Sequence, residues 1–141
     1  MPGLTETPEA TCVRLRQRRE FLMARRLGKK WVRPGMIVQF RRHQPDVDAS
    51  LRPSVMRLGF TVSKKVGNAV SRNRAKRRLR AVADQVMVKN AGFLKKAAPG
   101  FDLVIIGRAA TLTRPFQDLL GDLQQALKKL NVFRDGSPDR E

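Results

Sequence analysis

The sequence has few of the side chains that build catalytic and metal sites. Its 141 residues include one cysteine and one histidine. The single cysteine, Cys12, excludes an internal disulfide and a metal site made of several cysteines. His43 has no second histidine to share acid–base work, so we expect it to be a surface residue of a loop. Asp46 and Asp48 belong to the same loop, but two loop aspartates do not make a two-metal site by themselves. We therefore predict no catalytic residues and no metal ligands.

Long apolar runs are also missing. The longest strongly apolar run is residues 103–106, which is far too short to cross a bilayer. Residues 1–10 do not have the basic region and apolar stretch of a secretory signal. Binding to an anionic membrane surface would need a basic helix with a bulky apolar face. The sequence therefore predicts a cytoplasmic protein without a membrane partner.

Acidic residues are scarce where basic residues are concentrated. The chain has 30 Lys and Arg against 12 Asp and Glu, which gives a formal charge of +18. Residues 49–83 contain 10 Lys or Arg and no acid, and Glu20 is the one acid between Ala10 and Pro45. A surface charged only for solubility would intersperse the two signs. The clustering instead predicts a polyanionic partner, and a nucleic acid fits it best.

The length suits one compact domain with short tails. Residues 1–12 and 134–141 are polar and aperiodic, which predicts flexible tails on a domain at 13–133. Periodicity predicts a helix within 15–30 that stops at Gly28, strands at 36–42 and 56–63, a helix at 68–88, a strand at 103–106, and a helix that opens near Thr113 with Pro115 in its first turn. The order α-β-β-α-β-α predicts an α+β sandwich with a small mixed sheet. We expect the first two strands to pair like a hairpin and the leucine stripe of the last helix to be core.

The helix at 68–88 is the most informative element. Asn68 or Ser71 can cap its start, and Ala75, Leu79 and Val82 fall on one narrow apolar stripe. Residues 72–80 contain six Lys or Arg, and within this helix no acid precedes Asp84. A solvated helix usually mixes charges in i,i+4 pairs, and like charges destabilise a helix unless a counter-charge is present. The pattern predicts a helix that docks one face and offers its cations to phosphates, which guanidinium groups bind with two hydrogen bonds.

A family resemblance rests on this region. Residues 59–65 read GFTVSKK and residues 67–80 read GNAVSRNRAKRRLR. The second run resembles the signature, often called the RNR motif, of the bacterial ribonuclease P protein component, and the first resembles the strand that leads into it. Agreement continues with Glu20-Phe21, with the strand from Asp102, and with a closing amphipathic helix. The similarity covers about residues 14–130.

The resemblance implies a fold, an activity and partners. The fold is an α/β sandwich with a left-handed βαβ crossover, although about 98% of such connections are right-handed. The activity is that of a holoenzyme, an endoribonuclease in which a catalytic RNA removes the 5′ leader of precursor tRNA with the help of Mg²⁺. The protein binds that RNA and the single-stranded leader, without a cofactor of its own. We expect it to be a monomer without RNA and to have no DNA partner.

The resemblance also implies site residues. The main RNA-binding set is Arg72, Asn73, Arg74, Lys76, Arg77 and Arg80, with Lys64, Lys65 and Asn68 beside it. Phe21 matches an aromatic residue of the leader cleft that stacks on a base. One turn later, where relatives often have a second aromatic residue, this chain has Arg25, which can stack on a base or form a surface salt bridge. Ile37 and Gln39 share a strand face that we expect to line the cleft. Trp31 is either a stacking residue or a packing residue.

Four alternative interpretations can be weighed against the resemblance. A ribosomal or other structural RNA-binding protein would have a similar size and charge, but the motif argues against it. A DNA-binding module would place a docking helix before its recognition helix, whereas strands precede the basic helix here. A nuclear-localisation-like run would not need the apolar stripe. A protein-only nuclease would need an acid–base pair or an acidic metal cluster that the sequence lacks.

Overall fold

The structure, a computed structural model, describes residues 11–44, 48, 51, 55–88, 100–130 and 132. Within these residues the chain forms β1 (Thr11–Arg14), α1 (Arg18–Leu27), β2 (Lys29–Arg33), β3 (Met36–Arg42), β4 (Val55–Val62), α2 (Ala69–Ala83), β5 (Phe101–Gly107) and α3 (Phe116–Lys129). Short 3₁₀ turns at Lys64–Val66 and Ala109–Leu112 precede α2 and α3, and a π-helical turn at Asp84–Val88 follows α2. The predicted α+β class with a mixed sheet is confirmed.

The five strands form one sheet in the order β1-β4-β5-β3-β2. β4 runs parallel to β1 and β5, whereas β3 runs antiparallel to β5 and β2. β5 lies at the centre because its run Leu103 to Ile105 can be buried on both faces. The connection from β4 through α2 to β5 is a parallel crossover, and its predicted left-handedness stays a prediction.

Two strands were missed by the periodicity argument. β1 starts at Thr11, so two residues of the segment predicted as a tail lie in the sheet. β2 covers Lys29–Arg33, where no strand was predicted, whereas α1 ends at Leu27 with Gly28 just past its end, as predicted. Both are edge strands of four or five residues, and most of their side chains are exposed. Such strands show no alternation of apolar and polar residues that a sequence pattern could detect.

The predicted hairpin of β3 and β4 is wrong. Gly107 of β5 pairs with Met36 on one side and with Val62 on the other, so β5 separates the two strands. Pairing through the central strand buries more apolar surface than a direct pair would, which outweighs the closeness of β3 and β4 in sequence. α3 also begins later than predicted, at Phe116, with Pro115 directly before it.

The sheet has helices on both faces. α2 and α3 cover one face, and the main core lies between them and the strands. The leucine stripe of α3, with Leu119, Leu123 and Leu127, is buried there as predicted. α1 covers part of the other face, over a small cluster of Leu15, Ala24 and Val104. In the described part of the chain, no helix has the length and apolar character needed to cross a membrane.

Candidate nucleic-acid interface

The basic helix α2 begins with a sharply defined turn. Gly67 has φ of 154° and ψ of −164°, a backbone conformation that is open essentially only to glycine. The Asn68 Oδ1 atom accepts a hydrogen bond of 2.9 Å from the Ser71 N–H, so Asn68 is the N-cap. Lys64 and Lys65 lie on the preceding 3₁₀ turn with exposed side chains. The turn therefore places two predicted RNA-binding lysines beside the start of α2.

α2 divides its residues between core and solvent as predicted. Ala75, Leu79 and Val82 are fully buried against the sheet and α3. The predicted set points the other way: Asn73, Arg74, Arg77 and Arg80 are exposed, and Arg72 and Lys76 are half-buried. Glu20, Asp48, Asp102 and Asp122 form their ion pairs with arginines and a histidine outside this set. α2 therefore presents an array of positive charge that other groups can neutralise.

Arg78 differs from its neighbours on α2. Its Nη2 atom donates a hydrogen bond to the carbonyl oxygen of Arg114, in the segment before α3. Arg78 is one of the six basic residues at 72–80 that were predicted to face phosphates, and the structure corrects this for Arg78. Arg78 is half-buried and links two helices, so it contributes little to the outward array.

A groove of about 540 Å³ opens on the opposite face of the sheet, beside α1. Its walls are Arg18, Phe21, Leu22 and Arg25 of α1 and Gln39, Phe60, Thr61, Val104 and Ile106 of the strands. Three of the predicted cleft residues, Phe21, Arg25 and Gln39, therefore meet in one groove. Ile37 lies on the same sheet face, paired with Ile106, but does not line the groove.

Phe21 lies directly against a glycine of the sheet. A Cβ atom on Gly59 would be 2.6 Å from Cε1 of the Phe21 ring and 2.9 Å from Cδ1 of Leu15. Such distances do not occur between non-bonded carbon atoms, so any other residue at this position would displace the ring. Gly59 is therefore the seat of the groove's aromatic ring, a role that the sequence argument did not assign.

Trp31 lies outside this groove. It pairs with Val38, and directly opposed residues of an antiparallel pair share a sheet face. Val38 belongs to the core under α2 and α3, and Nζ of Lys129 lies 5.6 Å from the Trp31 ring centroid. Of the two roles predicted for Trp31, the structure supports packing at the rim of α3.

An ion network lies on the groove face, at the other end of the same strands. Asp102 is fully buried and accepts hydrogen bonds from Arg57 Nε at 2.7 Å, Arg57 Nη2 at 2.9 Å and Arg41 Nη2 at 3.1 Å. Nε2 of His43 is 2.7 Å from the same carboxylate. Arg41 also binds Asp48 through two hydrogen bonds. The prediction that His43 is a surface residue is therefore wrong, since its side chain is 9% exposed.

The network sets the protonation state of its carboxylates. Burial alone would raise the pKa of Asp102, but hydrogen bonds from His43 and Arg57 outweigh it and lower this pKa to about 2. The hydrogen bond from Arg41 likewise lowers the pKa of Asp48. Both groups are charged near neutral pH and matched by arginines. The sequence does show one sign of this network, the acidic residue Asp102 directly before the apolar run at 103–106, but it could not reveal the partners of Asp102.

These carboxylates are poorly suited to bind a cation. Cationic side chains already surround Asp102, and no group of three or more His, Cys, Asp or Glu within the described ranges could hold a metal ion. Asp46, the other loop aspartate of the sequence argument, lies outside the described residues.

A second pocket, of about 400 Å³, lies between β1 and the end of α2. Arg80 forms part of its wall, together with Arg14 and Phe60. The Arg14 guanidinium carbon is 5.4 Å from the Phe60 ring centroid, within the range of a cation–π contact. Arg80 therefore lies at the far end of the α2 array, away from the turn that carries Lys64.

Comparison with known proteins identifies the family. The family model of ribonuclease P matches residues 10–131. A ribonuclease P protein component of Paramagnetospirillum magneticum is 46% identical over 121 residues, which cover 86% of this chain and 84% of that protein. One from Ruegeria pomeroyi is 47% identical over 119 residues, covering 84% of this chain and 86% of that protein.

Solved structures agree with the sequence comparison. The ribonuclease P protein of Thermotoga maritima superposes with a TM-score of 0.60 at 29% identity, covering 79% of this chain and 92% of that one. That of Staphylococcus aureus has the same fold, with a TM-score of 0.64 at 24% identity over 86% of this chain and 97% of that one. By sequence and by fold, the chain belongs to the ribonuclease P protein family.

Proposed function

We propose that this chain is the protein subunit of a ribonuclease P ribonucleoprotein that removes the 5′ leader of precursor tRNA. In this proposal the surface of α2 binds the catalytic RNA and the groove beside α1 binds the leader. Family membership supports the subunit role and tRNA processing. The assignment of the catalytic RNA to α2 and of the leader to the groove is argued from the two surfaces themselves.

The observation on which the proposal depends is the concentration of exposed positive charge on α2. Arg74, Arg77 and Arg80 are exposed, and Glu20, Asp48, Asp102 and Asp122 form their ion pairs with residues outside α2. Such an array is costly in the isolated protein because the charges repel one another. Phosphates relieve the repulsion, and each one that is bound releases condensed counterions from the RNA.

The groove suits a single strand of variable sequence. Phe21 offers a ring on which any base can stack, and Arg18 and Arg25 on the same wall supply charge for the backbone. Arg25 stands where relatives often have a second aromatic residue, and its planar guanidinium can also stack on a base. Thr61 of the groove precedes Lys64 by three residues, so the two binding surfaces adjoin each other.

Catalysis belongs to the RNA in this proposal. The protein supplies positive charge and substrate contacts, and the RNA would hold the Mg²⁺ ions, which would supply activation of the attacking water. The holoenzyme therefore requires Mg²⁺ although the protein alone binds no cofactor. We further propose that the free protein is monomeric and works in the cytoplasm.

Reconstitution tests the proposal. We expect the purified chain, added to a bacterial ribonuclease P RNA at low Mg²⁺ concentration, to restore 5′-leader cleavage of a precursor tRNA. Affinity for that RNA should fall with salt, with a slope of about 0.7 to 0.9 per phosphate contacted. Arg74→Ala should reduce this salt slope by the value of about one phosphate contact.

Lys128→Ala is the matched control for the salt experiment. It removes the same charge from an exposed position of α3, away from the proposed interface. It should leave the salt slope unchanged. If folded protein fails to stimulate several bacterial ribonuclease P RNAs, the proposed function is wrong. Equal slopes for the two variants would instead remove α2 from the RNA interface.

A further inference from the structure

Apolar packing holds α1 weakly against the sheet. Ala24 is its one fully buried residue among those described, whereas Leu22 is 36% exposed and Leu27 is 51% exposed. Phe21 and Met23 are half-buried, and apolar contacts of this kind have no direction that would fix the height and rotation of a helix to within an ångström. Other contacts must therefore hold Phe21, the aromatic residue that α1 contributes to the groove.

An ion chain supplies those contacts. Nη1 of Arg57 in β4 donates a hydrogen bond of 2.8 Å to Oε2 of Glu20 in α1. The same guanidinium holds the buried Asp102 of β5 through Nε and Nη2. Because the guanidinium is planar and rigid, its two bonds to Asp102 fix the direction of its third bond, to Glu20.

Glu20 transmits this restraint to the start of α1. Its Oε1 atom accepts hydrogen bonds of 3.0 Å from the backbone N–H groups of Arg16 and Gln17. One carboxylate therefore caps the helix and ties it to the sheet. Phe21 is the next residue, and its ring rests on Gly59, two residues along β4 from Arg57.

We propose that Arg57 is a positioning residue for leader recognition, which acts through Glu20 to hold the Phe21 ring on its Gly59 seat. This inference rests on the proposed function, because it assumes that Phe21 contacts the leader. Arg57 itself lies among carboxylates and is 12% exposed, so it acts through Phe21 and not by contact with RNA. A ring fixed in this way does not lose conformational freedom when a base stacks on it, which favours tight binding.

The test measures leader preference, defined as the Kd of mature tRNA divided by the Kd of leader-bearing precursor, in the reconstituted holoenzyme. Glu20→Gln keeps an amide oxygen for the helix cap but removes the charge that binds Arg57. We expect it to lower the preference about fivefold, which corresponds to one net hydrogen bond. Phe21→Ala should lower it by roughly five- to a hundredfold, the value of one stacked base.

A double variant separates positioning from general destabilisation. If Glu20 acts through Phe21, then Glu20→Gln should change the preference by less than about twofold in a Phe21→Ala background. If Glu20→Gln lowers the leader preference by the full fivefold in the Phe21→Ala background as well, its effect is independent of Phe21 and the inference is overturned. A loss of affinity that is equal for mature and precursor tRNA in the single variant would also overturn it.

Gly59→Ala tests the seat directly. The added methyl group displaces the ring while leaving the charges of the ion chain in place, so it should reproduce the loss of leader preference. Each variant is compared at a temperature where circular dichroism shows it to be folded. Wild-type protein without leader preference would reject the proposed leader site itself. If the wild type shows a leader preference and neither Glu20→Gln nor Gly59→Ala lowers it, only the positioning role of Arg57 is rejected.

Discussion

The two faces of the sheet are built on different principles. On one face, α2 and α3 enclose a continuous apolar core that includes Leu79, Leu103 and Leu123. On the other, α1 covers a cluster of three buried residues and an ion network around Asp102. The first face buries apolar surface, which supplies most of the free energy of folding. The second leaves a groove open and holds its walls with directional bonds.

This division separates stability from recognition. Buried ion pairs contribute little net stability, because removing their charges from water offsets much of their attraction. They do have directional geometry, which apolar contacts lack. A strand of RNA needs an accessible groove whose walls do not move, and Arg57 with Asp102 can provide that without filling it. The sheet therefore supports a core on one side and a binding site on the other.

The largest expected effect is on the free energy of unfolding, which truncation of a leucine should lower more on the core face than on the groove face. Leu79→Ala removes a fully buried side chain from the core face, and we expect it to lower the free energy of unfolding by about 2–5 kcal/mol. Leu22→Ala makes the same change on α1, where the side chain is 36% exposed, and should cost less than about 1 kcal/mol. Urea denaturation of both variants measures the difference. Equal losses would contradict the division between the faces.

A smaller effect distinguishes the ion network by its response to acid. The pKa of Asp102 is about 2 in the folded state and 3.8 when unperturbed, so the charged form stabilises the fold by roughly 2 kcal/mol. Because the folded pKa is the lower one, this contribution is present above about pH 4 and is lost as the pH falls toward 2. Denaturation from pH 5 to 2 should show the loss. A carboxyl ¹³C titration should show Asp102 ionising near pH 2, and a midpoint near 4 would contradict the network.

The core face could be predicted from the sequence because its signals are local. The apolar spacing of Ala75, Leu79 and Val82 predicts the buried side of α2, and the same helical periodicity predicts that most of its cations face outward. The run at 103–106 predicts a strand buried on both faces. These patterns hold because each element must bury its apolar side somewhere, whatever its neighbours are.

The groove face could be predicted only in part because its contacts are distant in sequence. Phe21, Arg25 and Gln39 follow from the resemblance and from strand alternation, and the structure brings them together. The hydrogen bonds of Asp102 to Arg57 and His43 span 45 and 59 residues, and no local pattern marks such pairs. The false hairpin of β3 and β4 has the same cause, since β5 enters between them from far along the chain.

The smallest expected effect concerns Asn68, at the turn that joins the two faces. It was predicted to bind RNA, and the structure gives it a second role as the N-cap of α2. Asn68→Ala removes the cap and should cost about 1 kcal/mol of stability, whereas Asn68→Asp keeps a capping oxygen and should cost much less. For RNA affinity we expect the opposite order, with the larger loss in Asn68→Asp, because its new negative charge lies beside Lys64 and Lys65 and repels phosphate. If Asn68→Asp binds the catalytic RNA as tightly as wild type, Asn68 is only a cap, and the RNA interface begins further along α2.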